Sequence, residues 1–186
     1  MAFTRMDELT ADLEDVRVIG EALNSRQADM PKIIKGLLRQ LEAHIDGFPV
    51  DQLSHSLQTA TRAERAGASE EMIVAALCHD IGKAISEANH AAISAEILQP
   101  YVSQETYEII RTHQVFQGKY IYEFMGKDPD ERKQFSDRPW YKKALQFSDA
   151  WDQTAFDPNY DSLPFEHFES KIDRVFASPD KQNGDS

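Results

Sequence analysis

His55 stands in the run QLSHSLQ, His79 and Asp80 are adjacent in CHDIGK, His90 opens HAAISAEIL, His113 follows Ile109 and Ile110, and Asp152 lies in AWDQ. All are nitrogen or oxygen donors, and together they could hold metal. Adjacent histidine and aspartate suit a pair of ions, because an imidazole binds one ion while a carboxylate has two oxygens to share between two. Asp152 falls one helical turn beyond Ser148 and two beyond Leu145, on an apolar face where an ionised carboxylate is costly unless a partner neutralises it. A lone histidine on an apolar face is ordinarily a hydrogen-bonded core residue, but the ordered series H…HD…H…H…D is not explained that way. Such donors without thiolate suit iron, manganese or zinc, and the residues alone leave that choice open. Cys78 reads as a small core filler, and His44 and His167 lack the ordered context.

The elements that must position these residues read as helices. Apolar residues at Leu9, Leu13, Val16, Ile19 and Leu23 predict a helix over Met6–Leu23. Pro31 suits a first helical turn and opens PKIIKGLLRQLEAHI, with Ile33, Ile34, Leu37, Leu38 and Leu41 on one face. A third helix is expected from about Val50 to Ala66, ended by Gly67. Ser69 caps EEMIVAALCHDIG, which is apolar on every side and therefore central and buried. Asn89 is expected to cap HAAISAEIL, and Ser103 to start a helix through His113 that bends near Gly118 and reaches Phe124. Gly126–Arg138 reads as loop with one turn, Pro139 opens PWYKKALQFSDAWDQ, and Glu166–Phe176 forms a last short helix. The predicted fold class is all-α: one domain over residues 1–176, with N-terminal helices over 6–45, a core over about 50–155 and a disordered tail over 177–186.

Length and charge narrow the classes of function. A chain of 186 residues holds one sizeable core. Lys plus Arg total 20 against 32 Asp plus Glu, a formal charge of −12, which leaves no basic surface to drive nucleic-acid or anionic-membrane binding. No apolar run spans a bilayer, the acidic opening is unlike a signal peptide, and a single cysteine fits a reducing compartment. A cytoplasmic protein is expected.

With HSLQ, CHDIGK, a later histidine, a helical histidine and a final aspartate in this order, residues 50–155 resemble the HD-domain superfamily. The two extra histidines before the final aspartate mark its dinuclear branch. QLSHSLQ, the His55-to-His79 spacing and AWDQ are similar to the mixed-valent diiron oxygenases of phosphonate catabolism, of PhnZ and TmpB type and closer to the latter. The resemblance implies a small all-helical enzyme that uses O2 to cleave the C–P bond of a 1-hydroxy-2-ammonio-ethylphosphonate. The substrate implied is (R)-1-hydroxy-2-(trimethylammonio)ethylphosphonate, giving glycine betaine and phosphate. Its cofactor would be two iron ions, Fe(II)/Fe(III), its co-substrate O2, and its partner a small organophosphonate rather than nucleic acid or membrane.

Carried over by residue, the resemblance has His55, His79, Asp80 and Asp152 holding the first iron, Asp80 bridging, and His90 with His113 holding the second. Six-coordination then leaves one position open on the first ion and two on the second, which suits a bidentate α-hydroxyphosphonate. Lys83, four after His79, is expected at the phosphonate, as are Gln117 and Lys119 after His113. Asp149 stands where the family carries a phosphonate-contacting arginine, so Arg138 is the expected replacement. Phe48, with Asp46, Tyr120 and Trp140, is expected to face a quaternary ammonium, which has no N–H and prefers aromatic faces. The alternative is a dinuclear HD phosphohydrolase, which would share every one of these ligands. A non-catalytic HD-like module fits least, because such modules lose ligands.

Overall fold

The computed structural model describes residues 4–8, 14–177 and 179. Among them there are helices and turns and no strand, as an HD-type helical bundle requires. Leu9, Leu13 and nearly all of the expected tail lie outside the described residues.

The N-terminal helix α1 runs over Glu14–Ala28, longer at its C-terminal end than its apolar pattern indicates. Val16 and Leu23, assigned to its inner face, are exposed, and the helix is fastened by Arg17 to Glu14 and Glu21 along its own surface. Helix α2 (Met30–Gln40) buries Ile34 and Leu38, with Leu41 in the turn that follows, whereas Ile33 faces outward. The stripe that meets the core is narrower than the apolar pattern predicts, because the helix needs only its i, i+4, i+7 row there.

Helix α3 (Gln52–Arg65) has defined ends. Asp51 accepts the Ser54 amide at 2.8 Å at its start. Gly67, at φ +75°, closes its end: the Gly67 amide bonds the Glu64 carbonyl and the Ala68 amide bonds that of Ala63, the paired bonds of a Schellman cap. Helix α4 (Glu70–Cys78), capped by Ser69 on the Met72 amide, is buried from Met72 to Cys78 and packs between α3 and the last helix. It stops at His79, and a 3-10 turn, Ile81–Ala84, follows.

Helices α5 (His90–Leu98) and α6 (Gln104–Gln117) pack along each other. Asn89 occupies the N-cap position of α5 but makes no side-chain cap bond, whereas Ser103 caps α6 through the Thr106 amide. Helix α6 ends at Gln117; Gly118–Tyr120 and Tyr122–Met125 are short 3-10 turns, so the chain breaks up where a bend alone was expected. Helix α7 (Tyr141–Gln146) runs into a π-helix, Phe147–Asp152, in which the Gln153 amide reaches back five residues to the Ser148 carbonyl. Helix α8 (Phe165–Val175) closes the core with Phe165, Phe168 and Ile172.

Candidate metal centre

Two of the four histidines are held by a carbonyl of the helix they end or sit in, His90 by the 3-10 turn Glu87–Asn89 just before its helix, and His55 by the strap after the π-helix. The Nδ1 atoms of His79, His90 and His113 lie 2.8, 2.9 and 2.7 Å from the carbonyls of Ala76, Glu87 and Ile110, each three residues back. His55 Nδ1 meets the Ala155 carbonyl at 3.1 Å. A carbonyl only accepts, so each Nδ1 carries the hydrogen and each neutral ring presents a bare Nε2 lone pair. Those four lone pairs point at one another and at two carboxylates: His55 Nε2 and His79 Nε2 are 3.1 Å apart.

Asp80 sits at the centre. Its Oδ2 is 3.6 Å from His55 Nε2 and 3.5 Å from His79 Nε2; its Oδ1 is 3.2 Å from His90 Nε2 and 3.3 Å from His113 Nε2. One carboxylate thus faces two imidazole pairs, one with each oxygen. Asp152 joins the first pair, with Oδ1 3.2 Å from His55 Nε2 and 3.6 Å from His79 Nε2. Two donor groups, His55–His79–Asp152 and His79–Asp80–His113, each converge within 4.8 Å.

Electrostatics identify what the cluster lacks. Asp80 and Asp152 are buried, and among the described residues neither Asp80 Oδ1 nor Asp152 Oδ2 has a hydrogen-bond partner. Burial pushes the Asp80 pKa up, but His79, the His113 and His90 imidazoles and Lys83 outweigh it and hold the carboxyl well below its usual range. Asp152 is likewise held low, burial being outweighed by His79 and His55. For His79, burial is overcome by the two carboxylates and its pKa is raised; His113, where burial dominates, stays neutral more readily. Buried carboxylates ionised against a wall of lone pairs call for positive charge between them. Orphaned oxygens and unprotonated Nε2 atoms suit cations, and this donor set of oxygen and imidazole without thiolate fits iron, manganese or zinc.

Lys83 and Gln117 lie against this cluster. Lys83 Nζ bonds Asp80 Oδ2 at 2.9 Å and Gln52 Oε1 at 3.0 Å, and Gln117 Nε2 donates to Asp152 Oδ1 at 3.0 Å. Phe48 stacks on Phe156, which in turn stacks on His55, with ring centroids 4.6 and 4.3 Å apart. Phe48, Gln117, Tyr120, Ile121, Phe124, Gln153 and Phe156 line a mostly apolar cavity of about 370 Å³ beside the centre.

Four other expected residues are elsewhere. Lys119 is turned to Asp130 at 3.2 Å, because the chain breaks at Gly118 and carries it outward. Arg138 is exposed and pairs with its neighbour Asp137 at 3.8 Å; the arginine that does reach Asp149 is Arg132, at 2.6 Å. Trp140 packs on Phe116 and Phe135 in the core, and Asp46 is exposed in a left-handed turn at φ +51°. Gln52, Phe156 and Arg132 were not singled out from sequence. Gln52 had a usable signal, since it precedes His55 by three and shares its helix face; Phe156 and Arg132 lie in segments without periodicity.

Gly82 is required by close approach. A Cβ there would lie 2.3 Å from the His90 carbonyl oxygen and 2.9 Å from its carbon, both backbone. Gly82→Ala is therefore expected to cost about 1–3 kcal/mol and to push His90 off the centre. Thermal melting together with metal analysis checks this: a lower Tm and reduced metal are expected, and wild-type values of both would contradict it.

The chain belongs to the HD domain family, which matches residues 53–149. That span takes in all four histidines and Asp80 and ends just before Asp152. It is also similar to the [1-hydroxy-2-(trimethylamino)ethyl]phosphonate dioxygenase (glycine-betaine-forming) of Leisingera caerulea, at 37% identity over 78 residues, covering 36% of this chain. The match spans about 40% of that relative's length. Among the described residues no helix is long and apolar enough to cross a membrane.

Proposed function

We propose that this protein is a diiron oxygenase that cleaves the C–P bond of (R)-1-hydroxy-2-(trimethylammonio)ethylphosphonate with O2, giving glycine betaine and phosphate. The observation that carries the reading is the Asp80 carboxylate with a different imidazole pair at each oxygen, which suits a bridge between two ions. His55, His79, Asp80 and Asp152 would hold the first and His90 with His113 the second. Iron, when bound, supplies the redox chemistry with O2 that a purely hydrolytic metal does not. The choice of redox over hydrolysis is supported by the partial similarity to a phosphonate dioxygenase.

The atoms balance. The carbon that bears hydroxyl and phosphonate loses its bonds to phosphorus and to hydrogen and becomes a carboxyl carbon; one oxygen is added to it and one to phosphorus, O2 supplying both atoms and accepting the four electrons, and the hydrogen leaves as a proton. The protein's own groups divide the substrate. Lys83 presents an ammonium for the phosphonate dianion, as a point charge. Gln117 holds Asp152 Oδ1 and so orients that carboxylate. The stack of Phe48 and Phe156 and the Tyr120 ring give the trimethylammonio group aromatic faces in a cavity of about 370 Å³. On this reading residues 1–176 form one domain around one centre, its partner is a small organophosphonate, and it works in the cytoplasm.

A dinuclear phosphohydrolase would use the same ligands, and Lys83 beside the bridge favours a phosphorus-bearing substrate under either chemistry. The two are separated by giving iron-loaded, ascorbate-treated protein this phosphonate and, separately, bis(p-nitrophenyl) phosphate in air. Phosphate and glycine betaine from the first, without nitrophenol from the second, is the expected result. Nitrophenol release with an untouched phosphonate would establish the hydrolase instead.

A further inference from the structure

We propose that Gln52 is a substrate-contacting residue, whose side-chain Nε2 donates to an anionic oxygen of the phosphorus group while its Oε1 holds Lys83 in place. The proposal rests on the reading above that such a group sits at this centre. Gln52 is the first residue of α3 and is completely buried. Its amide cannot be turned round: Lys83 Nζ, a donor with no acceptor capacity, lies 3.0 Å away, so the oxygen must face the lysine and the nitrogen must face the other way. Among the described residues that nitrogen has no hydrogen-bond partner. A buried donor left unmade is costly, and native structures keep such groups chiefly where function uses them.

The position of this donor points to its use. Lys83 bridges Gln52 Oε1 and Asp80 Oδ2, so the amide lies two hydrogen bonds from the carboxylate at the heart of the cluster. Were Asp80 to hold cations, its charge would be shared with them, and Lys83 would be free to take another anion. The lysine ammonium and the Gln52 amide form a two-donor seat for one, the ammonium supplying charge and the amide direction. Ser56 Oγ and Ser148 Oγ are also orphaned, but neither is bonded to a residue that touches Asp80. The ligand chemistry is a tetrahedral phosphorus oxyanion, whether phosphonate substrate or phosphate product.

Titration of inorganic phosphate into the iron-loaded full-length protein tests this without relying on turnover. Gln52→Glu keeps an oxygen for Lys83 and the shape of the side chain, but removes the donor and adds repulsion. Gln52→Met removes donor and acceptor at similar volume. Phosphate affinity is expected to fall about tenfold in Gln52→Met and further in Gln52→Glu, with metal content and helicity unchanged. Combining Gln52→Met with Lys83→Met should weaken phosphate binding beyond Lys83→Met alone, because the amide touches the anion directly. Wild-type affinity in both single variants, or a double variant equal to Lys83→Met, would overturn the proposal. A wild-type protein that binds phosphate alongside unaffected variants leaves the phosphorus reading standing; one that binds no phosphate removes both.

Discussion

Asp80→Asn is expected to cost about three orders of magnitude or more in activity and to strip the protein of most of its metal. The substitution changes almost no volume, so the fold should survive, but it changes both ends of the side chain. One oxygen becomes an NH2 that points hydrogens at a pair of Nε2 lone pairs, His55 with His79 or His90 with His113, and repels a cation there. The other remains an oxygen without charge. Lys83, largely buried, then loses the carboxylate that raises its pKa against the effect of burial. Metal analysis, activity and circular dichroism on the same preparation check the prediction. Wild-type metal content in Asp80→Asn would mean that the carboxylate does not bridge.

His113→Ala is expected to halve the metal content and to cost activity about as much as Asp80→Asn does, while a folded helical protein remains. His113 belongs, with His90, to the pair facing Asp80 Oδ1, whereas His55, His79 and Asp152 form the other side. Removing it leaves the first set of donors intact. Its ring is buried beside Phe147, so the alanine variant also leaves a cavity the size of an imidazole. Added imidazole should partly restore both metal and activity. A His113→Ala protein with undiminished metal would show that all the ions are held by the first set, as in a mononuclear centre.

Both predictions depend on residues visible in the sequence, and the reasons are physical. The apolar run Met72–Cys78 can only be a buried helix, and it delivers His79 and Asp80 to the core at its end. Ser69, Ser103 and Gly67 mark helix ends through bonds to local backbone, so their effect does not depend on the rest of the fold. A histidine whose Nδ1 bonds a carbonyl three residues back is oriented by its own helix, which makes His79 and His113 predictable from sequence position. Long charged side chains are different. Lys119 and Arg138 lie in the irregular stretch after Gly118, where their partners Asp130 and Asp137 are set by the path of the loop rather than by a period. The π-helix was also hidden: its wider turn buries both Trp151 and Asp152 and leaves Asp149 to Arg132, a phase that a 3.6-residue period does not give. The spacing of Gln52, three before His55, marks its helix face, but its pairing with Lys83 is visible only in the fold.

The central claim, redox cleavage at a bridged pair of ions, is tested most directly by oxygen. Iron-loaded, ascorbate-treated protein is mixed with (R)-1-hydroxy-2-(trimethylammonio)ethylphosphonate in two sealed vessels, one anaerobic and one with O2, and phosphate and glycine betaine are measured in both. Equal amounts of the two products are expected with O2 and neither without it. Phosphate released at the same rate in the anaerobic vessel would contradict it and make the chemistry hydrolytic.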